Sequence, residues 1–205
     1  MEELQAIDLL KQGNLRGLDT LVQQYYFRAV KTAFLITQDR AAAEDIVQNA
    51  FLHAYEKIDQ LRGEQFGPWF LRSVVNAAIK AARKQKNQLS LSSENDGEGL
   101  ALAELLADGR PSPESQVEMD ELVQEVRQAL QRLPAEQRAA LVLKYYLEMS
   151  EAEMALTLER PRTTIKWRLY TARQRLKGML QPSVYPARSN PPRSTTPSEK
   201  RKQED

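Results

Sequence analysis

The sequence predicts an all-α fold of two small helical domains joined by a flexible acidic linker. Three observations predict it. Apolar residues recur at helical spacing through most of the chain, and alternating β-branched runs are absent. Gly and Pro are scarce before residue 109 apart from a few placed breaks. Composition shifts at Asn87, where NQLSLSSENDGEGLALAELLADGRPSPES turns polar and acidic. The expected division is a first domain at 1–86, a linker at 87–115, a second domain at 116–180 and a disordered tail at 181–205.

Composition removes several classes of function. The chain of 205 residues has room for one or two domains. It has no cysteine, so disulfides and thiolate metal sites are excluded, and the single histidine, His53, cannot build a zinc site alone. No metal or cofactor is expected. No apolar run approaches the roughly 20 residues that span a bilayer. The start, MEELQAIDLLKQ, carries early acids and no small-residue cleavage site, unlike a signal peptide. A cytoplasmic protein without membrane insertion is the expectation. The net charge of +1 hides strong segregation of charge along the chain.

In chain order, helices are expected near Glu2 and near Leu15. The second carries the stripe Leu18, Leu21, Val22, Tyr25, Ala29 and Ala33 and continues to Ile36. Asp39 can cap a third helix, Ala41 to about Ile58, that buries Val47, Phe51, Ala54 and Ile58. Its outward face shows Glu44, Asp45, Gln48, Asn49, Leu52 and His53. That face is either a partner surface, as Leu52 among acids and amides suggests, or a plain solvated face.

Asp59 to Pro68 is a loop, and a fourth helix starts at Pro68 or Trp69, since Pro suits the first helical position. Phe70, Val74, Ala77 and Ala81 are expected to face inward. Trp69, Arg72, Asn76, Lys80 and Arg83 form the opposite row. Cations for phosphates, an amide and an aromatic on which a base stacks suit a nucleic-acid strand. Trp69 serves either there or in the core. In the linker, Leu100 to Ala107 can form a short helical turn. The acidic segment either threads a basic groove of a partner or is an inert tether.

Val117 to Leu133 is expected to be helical, with Leu122, Val126, Ala129 and Leu133 in phase. Pro134 opens the next helix, Ala135 to about Tyr146, whose apolar residues are Leu141, Val142 and Tyr145. MSEAEMALTLERPRTTIKWRLYTARQRL then reads as two helices and a tight turn. Ser150 and Glu153 form a capping box, and Pro161 breaks the first helix. The second, from Arg162 to about Gly178, buries Ile165, Leu169, Ala172 and Leu176. Between Arg160 and Lys177 there are seven basic residues and no acid. A helix-turn-helix sets its second helix in the major groove, where Arg and Lys read guanine edges and neutralise phosphates. The alternative is a solvated basic face on an ordinary helical hairpin.

AEDIVQNAFLHAYEKIDQLRG with FGPWFLRSVVNAAIKAARK resembles the promoter-melting domain of bacterial RNA polymerase sigma factors. LPAEQRAALVLKYYLEMSEAEMALTLERPRTTIKWRLYTARQRLK resembles the second conserved domain of the same proteins. The short two-domain form is similar to the extracytoplasmic-function (ECF) group of the sigma-70 family. The resemblance covers about residues 10–86 and 116–180. It implies a non-enzymatic initiation factor that binds core RNA polymerase and promoter DNA and assists promoter opening.

By resemblance, Asp45, Gln48, Asn49 and Leu52 belong to the surface that docks on a coiled coil of the polymerase largest subunit. Trp69, Arg72, Asn76, Lys80 and Arg83 lie on the helix that captures the minus-ten element as single strand. Arg162, Thr163, Thr164, Lys166, Trp167, Arg168, Tyr170, Thr171 and Arg173 make up the reader of the minus-thirty-five element. An anti-sigma factor is a further partner that the group often has, though no residue here identifies one. Four positions depart from the family's pattern. Glu159 stands where the turn commonly has Gly, and Asn49 where an acid is usual. Trp167 replaces a usually small residue and Thr171 a usually basic one. The linker is expected to hold the two basic faces apart.

Two rivals start from the same residues. A free-standing duplex-binding regulator has no use for the row from Trp69 to Arg83. A metal-dependent nuclease built on Glu44 and Asp45 needs convergence, yet neighbours on a helix diverge by about 100°.

Overall fold

The structure, a computed structural model, describes residues 2–61, 65–89 and 123–180. The tail, most of the linker with its expected turn at Leu100 to Ala107, and Leu122 lie outside the described residues. Every regular element described is helical.

Helix α1 (Glu3–Lys11) lies across α2 (Leu15–Thr37). Asn14 caps α2 by accepting from the Arg16 amide at 3.0 Å. Gly17 lets the two backbones meet. A Cβ there would stand 2.2 Å from the Ala6 carbonyl oxygen and 2.8 Å from the Leu10 nitrogen. Gly17→Ala is therefore expected to destabilise the chain by about 3 kcal/mol, the upper end of overpacking costs, because backbone cannot rotate aside as a side chain can. A urea midpoint equal to the parent's would show that α1 contributes no stability.

The α2 helix ends on Gln38 in the left-handed region at φ 61°. Asp39 caps α3 (Arg40–Lys57) by accepting from the Ala42 amide at 3.0 Å. A 3-10 turn, Ile58–Gln60, comes next. Helix α4 (Phe66–Leu89) begins before Pro68, not at it, and runs past the expected boundary at 86. Pro68 is tolerated in the first turn because the amides there have no helical partner to lose.

Helices α2, α3 and α4 close around a ring cluster. Phe70 sits 4.4 Å from Phe51 and 5.3 Å from Phe66, centroid to centroid, and Tyr25 lies 5.4 Å from Phe66. The Tyr25 hydroxyl donates to the Glu3 carboxylate, tying α2 to α1. Burial first, then that bond and the Glu3 charge, push the Tyr25 phenol well above its usual range.

The inward face of α4 differs from expectation. Phe70 and Val74 are buried, but so are Leu71, Val75, Ala78, Ile79 and Ala82, whereas Ala77 is exposed and Ala81 half-buried. Alanine contributes so little apolar area that it does not set the rotation of a helix. The larger Leu71, Val75 and Ile79 set it.

In the second region, α5 spans residues 123–131 and α6 is Ala135–Leu141. The α6 helix widens into a π turn, Val142–Tyr146, whose end is held by the Leu147 amide on the Val142 carbonyl at 3.0 Å. The extra residue in that turn rotates the side chains after it relative to an α-helix. Tyr145, counted among the apolar residues of this helix, is therefore 61% exposed, and Tyr146 packs against the core instead. Helices α7 (Glu151–Thr157) and α8 (Arg162–Met179) complete the region.

The two regions do not stand apart. Helix α6 packs against α2 and α4 as well as against α8. Lys31 of α2, buried, places its ammonium 5.2 Å from the centre of the Tyr146 ring, a cation–π contact between the regions.

Candidate nucleic-acid interface

Local chemistry builds the hairpin of α7 and α8. The Ser150 amide donates to the Glu153 carboxylate at 2.7 Å, and the Glu153 amide donates to the Ser150 hydroxyl at 3.3 Å. Hydrogen bonds from the Ser150 side chain and amide hold the Glu153 carboxyl below its usual range. Helix α7 closes with Glu159 at φ 50°. The Arg160 amide reaches the Ala155 carbonyl at 3.0 Å and the Glu159 amide reaches that of Leu156 at 3.3 Å. A non-glycine residue in this geometry costs about 1 kcal/mol. The turn thus keeps its left-handed form although Glu159 stands where Gly is common.

Ile165, Leu169 and Ala172 are buried, and Leu176 is half-buried against the core. That fixes the opposite face of α8. Lys166, Trp167 and Tyr170 are exposed, as are Arg162, Thr163 and Arg173, while Thr164 is half-buried. The exposed Lys166 lies 3.8 Å from the half-buried Glu151. Arg173 turns back on its own helix, donating to the Leu169 carbonyl at 3.2 Å. Thr171 departs from the outward position expected of it. It is half-buried, donates to the Trp167 carbonyl at 2.9 Å, and accepts from the Gln137 amide at 3.2 Å. The same Gln137 accepts from Arg175 at 3.2 Å. Gln137, which sequence patterning did not single out, thereby ties α6 to two positions of α8.

On α4, Asn76, Lys80 and Arg83 are exposed, and Trp69 and Arg72 are half-buried. Trp69 packs its ring 5.9 Å from Phe66 while keeping part of it open to solvent, so it borders core and surface alike. Arg72 donates to the Glu159 carboxylate, and Arg83 donates to that of Glu136 at the start of α6. Partial burial alone would raise the Glu136 carboxyl. Its own amide, the Arg83 hydrogen bond, and the charges of Arg83 and Arg168 hold it below the usual range instead. Arg168 is itself lowered, chiefly by burial, against the pull of Glu136.

A third surface lies on α3. Asp45, Gln48, Asn49 and Leu52 are all exposed on the side opposite Val47, Phe51 and Ala54, and Leu52 is 60% exposed. The Asn49 side chain donates to the Asp45 carbonyl of its own helix at 2.8 Å. Among the described residues no helix is long and apolar enough to cross a membrane.

Comparison with known proteins matches two family models in the same order as the two helical regions. The model described as Sigma-70 region 2 covers residues 21–88, and Sigma-70, region 4 covers 123–176. The chain is 32% identical over 178 residues to the ECF RNA polymerase sigma factor SigW of Bacillus subtilis, covering 85% of this chain and 95% of that one. It is 29% identical over 184 residues to the RNA polymerase sigma-H factor of Pseudomonas aeruginosa, covering 88% and 95%. Among solved structures, CnrH in complex with the cytosolic domain of CnrY shares the fold at a TM-score of 0.58 and 20% identity, over 84% of this chain and 93% of that one. The sigma factor RpoE bound to the anti-sigma factor NepR from Bartonella quintana does so at 0.58 and 23%, over 78% and 96%. Two family regions in this order on two helical units make the chain a member of the sigma-70 family, in its ECF group: a factor for promoter-specific initiation by RNA polymerase.

Proposed function

We propose that the three exposed faces divide the work of initiation. Asp45, Gln48, Asn49 and Leu52 on α3 dock on core RNA polymerase. Arg162, Thr163, Lys166, Trp167, Arg168, Tyr170 and Arg173 on α8 meet the minus-thirty-five duplex. Trp69, Arg72, Asn76, Lys80 and Arg83 on α4 hold the minus-ten element as parted strand. The chain supplies no catalysis of its own, acts in the cytoplasm, and is open to control by an anti-sigma factor. The observation that carries this reading is the α8 face. It is basic and aromatic outside, apolar inside, and free of acids from Arg160 to Lys177. A solvated face has no need of Trp167 and Tyr170 at 61% and 59% exposure.

In vitro transcription with core enzyme, with sequencing of the transcript starts, tests the whole reading. Starts that share no upstream element would contradict it. Lys166→Ala is expected to weaken duplex promoter binding several-fold and to reduce the log–log salt slope by about 1, as loss of one phosphate contact does. An unchanged slope across a salt titration would remove Lys166 from the interface.

A further inference from the structure

Two of the contacts between the regions fall on the proposed strand-binding row. Arg72 and Arg83, two of the three cations in that row, are held by carboxylates of the second region. Glu159 reaches Arg72 from the turn of the helix-turn-helix, and Glu136 reaches Arg83 from the start of α6. Glu136 also lies near enough to Arg168 on α8 for the two charges to interact. The Lys31–Tyr146 contact and the packing of α6 on α2 and α4 hold the same arrangement from behind.

Glu159 is the telling residue. Its backbone is left-handed, a conformation glycine adopts freely and glutamate does not. What glutamate adds at that point is a carboxylate, and the carboxylate is on Arg72.

We propose that the second region is an intramolecular lock on the α4 row, with Glu159 and Glu136 standing in for two phosphates on Arg72 and Arg83 until the regions are drawn apart. The inference rests on the reading of that row as the strand-binding face. Exposed ion pairs are individually weak and screened by salt, which suits a closure that must yield to a polyanion.

The absence of cysteine allows a clean test in the full chain. Glu56→Cys on α3 and Gln174→Cys on α8 introduce dye sites at exposed positions of the two regions. Energy transfer between them is measured in the parent and in the double variant Glu159→Gly, Glu136→Gln. The glycine relieves the strained turn, so the variant folds. The lock predicts lower transfer in the variant, and a free chain that binds a single-stranded minus-ten oligonucleotide about fivefold more tightly. Unchanged transfer overturns it, and so does lower transfer with unchanged oligonucleotide affinity. Lys80→Ala, in the row but outside both ion pairs, tests the underlying reading separately. If holoenzyme captures the open strand equally well with Lys80→Ala, the row is not the strand site, whatever the dyes report.

Discussion

Phe70→Ala is expected to cost about 3–5 kcal/mol, the usual range for deleting a buried phenyl ring. Phe70 is fully buried and touches rings from three directions: Phe51 of α3, Phe66 of its own helix, and Tyr25 of α2 at 6.3 Å. Alanine leaves a cavity that three helices cannot close without losing their other contacts. Small domains are stable by only about 5–15 kcal/mol, so the first region is left near its threshold. Phe70→Leu keeps most of the volume and should cost markedly less. Urea denaturation of both variants measures the difference. A loss below about 1 kcal/mol for the alanine variant would mean that the ring cluster is not the centre of the core.

The second large effect concerns binding. Leu52→Glu is expected to weaken association with core polymerase by about 2–4 kcal/mol, the range of an interface hot spot. That is roughly thirtyfold to a thousandfold in Kd. Leu52 projects from α3 beside Asp45, Gln48 and Asn49, away from the buried Phe51 and Ala54. In the free chain the change adds a charge to an already polar surface and should alter stability by less than about 0.5 kcal/mol. At an interface it leaves a carboxylate without water where a methyl group was covered. Fluorescence anisotropy of labelled chain against core enzyme separates the two effects. Equal affinity for parent and variant would make this row an ordinary solvated face.

Much of this arrangement is readable in the chain before any coordinate. The Ser150–Glu153 capping box, the Asp39 cap, the break at Pro161 and the buried set Ile165, Leu169 and Ala172 all stand where patterning puts them. So do the outward Asp45, Gln48, Asn49 and Leu52. Each depends on neighbours within a few residues, because caps, turns and helical periodicity act over one or two turns. The departures have a common source. Ala77 and Ala81 do not anchor the rotation of α4. Tyr145 is turned outward by a π turn that no single residue announces. Thr171 turns to Gln137, a partner 34 positions away.

Local composition and spacing were enough to settle which segments coil, the buried side of α8, and where positive charge collects. They could not settle what that charge meets. Arg72 and Glu159 are 87 positions apart, and Arg83 and Glu136 are 53 apart. A carboxylate's preference for a cation is satisfied by any cation within reach. Which one comes within reach is set by how α6 packs on α2 and α4, and that packing depends on side chains from distant parts of the chain acting together.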